Sequence, residues 1–71
     1  MTREEINQMT RAIGKYVECC MPKKVRFALL VFDEETGRAS LVATMPDGAV
    51  YELAGMMLEN GHDVTVNRKK G

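Results

Sequence analysis

Apolar side chains recur along residues 3–20 at steps of three and four. Ile6, Met9, Ile13, Tyr16, Val17 and Cys20 form one stripe, and Arg3, Asn7, Arg11, Lys15 and Glu18 take the other side. That period predicts an amphipathic helix. Thr2-Arg3-Glu4-Glu5 stands in front of it as a capping box, the Thr2 hydroxyl serving the Glu5 amide and the Glu5 carboxylate serving Thr2. Glu4 and Glu5 also suit the positive end of a helix dipole. Pro22 ends the helix and biases Met21 toward extended backbone. Gly14 costs about 1 kcal/mol relative to alanine inside a helix. A residue without a side chain there implies close approach by a strand or a partner helix.

After Pro22 the pattern changes. Val25 to Phe32 is rich in β-branched and aromatic residues and predicts a strand. Val25, Phe27, Leu29 and Val31 share one face; Arg26, Ala28, Leu30 and Phe32 share the other. Asp33-Glu34-Glu35-Thr36-Gly37-Arg38 predicts a hairpin loop, with Gly37 at the positive-φ position. Ala39 to Thr44 is the return strand, with Ala39, Leu41 and Ala43 on one face and Ser40, Val42 and Thr44 on the other. Met45-Pro46-Asp47-Gly48 leads into a second helix over 47–59, whose apolar positions are Val50, Leu53, Ala54, Met57 and Leu58, with Met56 at the edge. Asn60-Gly61 is its stop. Val64-Thr65-Val66 alternates as a strand would.

The expected fold class is α+β in the order helix–strand–strand–helix (αββα), an antiparallel hairpin packed by two helices. A short third strand near 64–66 is an optional addition. Residues 1–66 are expected to form one domain and 67–71 a flexible basic tail.

The 71 residues leave room for one core, and a chain of this size buries roughly 60% of its unfolded surface. Such a core supplies only about 3–5 kcal/mol of net stability without reinforcement. Cys19 and Cys20 are the only cysteines, adjacent and so poorly placed to bridge each other; one core thiol and one half-exposed thiol are expected. With His62 they make no zinc set. Oligomerisation is the remaining reinforcement. The first strand is apolar on both faces, and two helices on one face leave Ala28, Leu30, Phe32 and Val42 as a surplus. That patch is the expected dimer or partner surface, joined edge to edge or face to face. The alternative is that a tail strand or one helix covers it within a monomer.

Net charge is zero but unevenly spread. Residues 1–32 carry six basic and three acidic side chains, 33–63 one and seven, and 64–71 three and none. A uniformly basic nucleic-acid binder would look different. Lys23, Lys24 and Arg26, with Arg68, Lys69 and Lys70, are nonetheless candidate phosphate contacts. Phe27 and Phe32 are expected in the core, leaving no stacking platform beside them. His62 lies in a turn without an oriented partner, and Asp33, Glu34 and Glu35 match no cation-binding loop. No catalytic residue, metal or cofactor is therefore expected. The longest apolar run, Phe27 to Phe32, is too short to span a bilayer and no leader is visible, so a cytoplasmic location without membrane contact is expected.

Phe27-Ala-Leu-Leu-Val-Phe-Asp33, then Gly37-Arg38, then a helix from Asp47, resembles a group of small phage and prophage proteins over residues 22–60. Ala39 to Thr44 departs from that group, where an aromatic and an asparagine-containing stretch would stand. The resemblance implies a mobile-element origin and carries no functional residue over. The functional expectation is a small, non-enzymatic, homodimeric interaction protein with an unidentified protein partner. The alternative is a small nucleic-acid-binding module using the basic patch.

Overall fold

The computed structural model describes residues 1–67. Helix α1 spans Arg3–Cys20, strand β1 Ala28–Asp33, β2 Arg38–Ala43, helix α2 Asp47–Glu59 and β3 Asp63–Asn67. The capping box ahead of α1 is formed. The Glu5 amide donates to Thr2 Oγ1 at 3.1 Å, and the Thr2 amide donates to Glu5 Oε1 at 2.9 Å. Met21 is extended, as a residue before proline should be. Gly37 at φ 73° closes the hairpin and Gly61 at φ 84° follows α2, so both glycines occupy backbone that a side chain resists.

The sheet order is β1-β2-β3. β1 and β2 pair antiparallel, with Leu29 opposite Val42 and Phe32 opposite Ala39. β3 is a full strand and pairs parallel to β2, with Ala39 opposite Val64 and Leu41 opposite Val66. The sheet is therefore mixed, and the antiparallel hairpin is only part of it. The cause is α2. Its 13 residues, about 20 Å of helix, carry the chain back from the end of β2 to the level where β2 began. A strand started there runs in the same direction as β2. Asn67, expected in the tail, is the last residue of β3.

The two helices do not share a face. Leu41 of β2 packs with Val50 and Ala54 of α2, flanked by Ala43, Met45, Val64 and Val66. On the other face α1 buries Ile6, Thr10 and Gly14. A Cβ placed on Gly14 would lie 2.5 Å from Val42 Cγ1. The close approach implied by that glycine is thus made by the central strand. The buried line of α1 runs through positions 6, 10 and 14, and not along the full predicted stripe. Met9 and Val17 flank it half-buried, while Ile13, Tyr16 and Cys20 are exposed. Both cysteines are exposed, so the expected core thiol does not exist.

A polar chain ties α1 to the sheet. The Ser40 hydroxyl, fully buried, donates to Asn7 Oδ1 at 2.8 Å. Asn67 Nδ2 donates to Ser40 Oγ at 2.6 Å and to the Leu41 carbonyl at 3.1 Å. Arg11 Nη1 reaches Asn67 Oδ1 at 3.4 Å. No buried side-chain nitrogen or oxygen is left without a partner among the described residues. Ion pairs tie the far end together. The Met1 ammonium meets Asp33 Oδ2 at 2.8 Å, and Arg3 meets Asp63.

Candidate functional site

β1 lies at one edge of the sheet. The Thr44 amide donates to the Phe27 carbonyl at 3.0 Å, which sets the phase of the ladder. Because the phase alternates, Leu29 and Val31 turn their amide and carbonyl groups to β2. Ala28, Leu30 and Phe32 turn theirs outward along the free edge. Their side chains stand on the α2 face of the sheet. α2 packs over β2 and β3, however, and leaves β1 uncovered there, so all three are exposed.

α1 extends the apolar surface on the opposite face. Arg3 and Arg11 reach Asp63 and Asn67 of β3, which orients the helix. The flank turned the other way, toward β1, carries Met9, Ile13 and Tyr16. Tyr16 is 72% exposed and Ile13 40%; Leu30 and Phe32 are 43% and 40% exposed. On α2, Leu53 and Met56 are also exposed and share one flank. The free edge is thus bordered by apolar side chains above and below.

The expected patch of Ala28, Leu30, Phe32 and Val42 is not one surface. Val42 pairs with Leu29, a residue of the α1 face, and lies against Gly14. A register one residue away would have placed it with Leu30, since alternation sends every side chain of a strand to one face or the other. Phe32 is not a core residue. Its ring meets His62 edge to face, with centroids 4.6 Å apart, which half-buries the histidine.

A second feature lies at the opposite end of the sheet from the hairpin loop. A hollow of about 530 Å³ opens between the second half of α1 and the end of β2. Arg11, Lys15, Glu18, Arg26, Thr44 and Asn67 supply its polar lining, and Phe27, Val42 and Met45 its apolar floor. A smaller hollow of about 260 Å³ adds Lys23. The two share Glu18, Arg26, Phe27 and Thr44 and form one continuous groove. Lys23 and Arg26 were expected as phosphate contacts. Arg11 and Lys15 were missed, because four residues apart on a helix they read as an ordinary solvated face. Phe27, expected in the core, lines the groove half-buried. Lys24 is exposed but lines neither hollow, and the expected contacts of Arg68, Lys69 and Lys70 lie outside the described residues.

The hairpin carboxylates serve the turn. Asp33 Oδ1 accepts the Glu35 amide at 3.0 Å, and Oδ2 holds the Met1 ammonium. The hydrogen bond from Met1, with smaller help from Thr36 and the Glu35 amide, holds the Asp33 carboxyl below its ordinary range, and the same bond raises the Met1 amine. Among the described residues no three His, Cys, Asp or Glu side chains gather as metal ligands would, and no helix is long and apolar enough to cross a membrane. No family model, curated protein or solved structure matches the chain.

Proposed function

We propose that this chain is a small, non-enzymatic interaction protein that works as a homodimer joined through β1. The observation that carries this reading is the free edge itself, unpaired among the described residues and bordered by Ile13 and Tyr16 on one side of the sheet and Leu30 and Phe32 on the other. Edges left in this state invite another strand, and native proteins otherwise blunt them with charge, proline or a bulge. Residues 28–32 offer none of these. A two-fold axis at Leu30 would set Leu30 against its copy and Ala28 against Phe32. The outward amides and carbonyls of those residues would then make about six inter-strand hydrogen bonds. The two α1 helices would meet across the axis on one face, covering Ile13 and Tyr16. Edge pairing is favoured over a face-to-face dimer because it uses both borders and the backbone together.

The resemblance of residues 22–60 to small phage and prophage proteins supports a mobile-element origin, which neighbouring genes would test. A cytoplasmic site of action and an additional protein partner belong to the same reading. Sedimentation at micromolar concentration tests the dimer. The expected species has twice the 8.0 kDa mass of the chain. Leu30→Asp should yield a folded monomer, because an aspartate at the axis faces its own copy. A wild-type chain that sediments as a clean monomer refutes the proposal.

A further inference from the structure

We infer that the groove between α1 and the β1–β2 strand ends is a binding site for single-stranded nucleic acid. Among the described residues four cations line it, drawn from separate parts of the chain: Arg11 and Lys15 from α1, and Lys23 and Arg26 from the segment before β1. Arg11 Nη1 donates to Asn67 Oδ1 at 3.4 Å, in the same lining. Their summed charge faces a floor that is apolar and carries an aromatic ring, Phe27. Proteins that hold single strands combine these two elements, a cationic groove for the backbone and a ring on which a base stacks. A duplex stacks its base faces on one another, leaving the Phe27 ring without a base face to receive. A small anion needs one cluster of cations, whereas these run along two joined hollows.

Glu18 is the carboxylate in the same lining, and it opposes a phosphate backbone. Its presence gives the site an internal sign check. Removing its charge should tighten binding, while removing a cation should loosen it. The inference does not depend on the dimer, since every lining residue of the groove belongs to one chain.

Fluorescence anisotropy with a labelled dT decamer, at low salt and across a salt series, reads the affinity. Each cation that meets a phosphate should contribute about 0.7 to the downward slope of log affinity against log salt. Lys15→Glu and Arg26→Glu should each weaken binding about tenfold at low salt, and Glu18→Gln should strengthen it. Phe27→Leu should weaken binding roughly fivefold or more, the smaller end of what one stacked base contributes, while Phe27→Tyr keeps the ring and should hold the affinity. Circular dichroism melts confirm that each variant is folded. Glu59→Gln, at the end of α2 and away from the groove, should change nothing. Ending the chain after Asn67 should lower the salt slope but preserve the Phe27 effect. The inference fails if no shift occurs at low salt. It fails equally if duplex or poly-glutamate binds as tightly as the decamer, or if binding ignores Phe27→Leu and disappears with residues 68–71.

Discussion

Gly14→Ala sets two known effects against each other at one atom. In an exposed helix the substitution would stabilise by about 1 kcal/mol, through backbone entropy. Here the new methyl would stand 2.5 Å from Val42 Cγ1 and 3.5 Å from its Cβ. Ordinary carbon contacts begin near 3.5–4.0 Å, so about 1 Å must be found. Val42 cannot supply it cheaply. Its Cγ1 is one bond from a β-branched carbon with stiff χ1, and its backbone is paired to Leu29 on one side and Asn67 on the other. Overpacking of this kind costs about 1–3 kcal/mol. The net expectation is a loss of about 0–2 kcal/mol, in place of the gain of about 1. Val42→Ala alone should cost about 1.5–2.5 kcal/mol through lost burial and a cavity. In the double variant the alanine at 14 occupies the vacated space, so the two changes should couple by about 1–3 kcal/mol. Urea unfolding at fixed protein concentration measures all three, the fixed concentration being needed because association adds to apparent stability. An increase in stability for Gly14→Ala, or additive behaviour of the pair, would show that α1 does not rest on β2 at this point.

Three further outcomes follow from the same geometry. Val42→Asp should destabilise the fold by about 1–3 kcal/mol, because it exchanges the packing of Val42 against Gly14 for a carboxylate at the groove floor, where Arg11 and Lys15 offset part of the cost; an unchanged midpoint in chemical unfolding would contradict the contact of Val42 with α1. Ser40→Ala should cost about 1–3 kcal/mol in chemical unfolding, since it removes the hydroxyl that joins Asn7 and Asn67 and leaves polar groups unpaired; an unchanged midpoint would argue that water enters there. The Met1–Asp33 pair should show in the pH dependence of melting. Asp33 is held below its ordinary 3.8, so its contribution is present above that value and fades as pH falls through the lowered one. The Met1 amine is raised above 8.0, so its contribution is present below 8 and fades as pH rises through the raised value. Acetylating Met1 should therefore lower the melting temperature at pH 6 and have less effect at pH 2 or 10; an equal decrease at all three would assign it to lost packing.

The local elements follow from residues adjacent in the chain. The capping box at Thr2–Glu5, the ends of both helices and the Gly37 turn are properties of neighbouring residues, and each formed where the pattern placed it; β1 keeps its alternation but starts at Ala28, three residues after the expected Val25, because a turn closed by the Val25 amide on the Pro22 carbonyl takes up the residues before it, while Asp33 and Arg38, expected in the loop, form the last rung of the hairpin. What required the tertiary structure was every question of which face meets which. The order β1-β2-β3 depends on where α2 returns the chain, a matter of helix length and packing that no local pattern encodes. Once α2 takes one face and α1 the other, Val42 turns inward beneath Gly14 while Leu30 and Phe32 stay uncovered. The buried line of α1 passes through Thr10 and Gly14, one polar and one without a side chain, because close contact with β2 and a hydrogen bond from Thr10 Oγ1 to the Ile6 carbonyl at 2.7 Å outweigh apolar periodicity. The groove is of the same kind. Arg11, Lys15, Lys23, Arg26 and Phe27 lie on a helix, a loop and a strand entrance, and they become neighbours only when α1 lies down along β2.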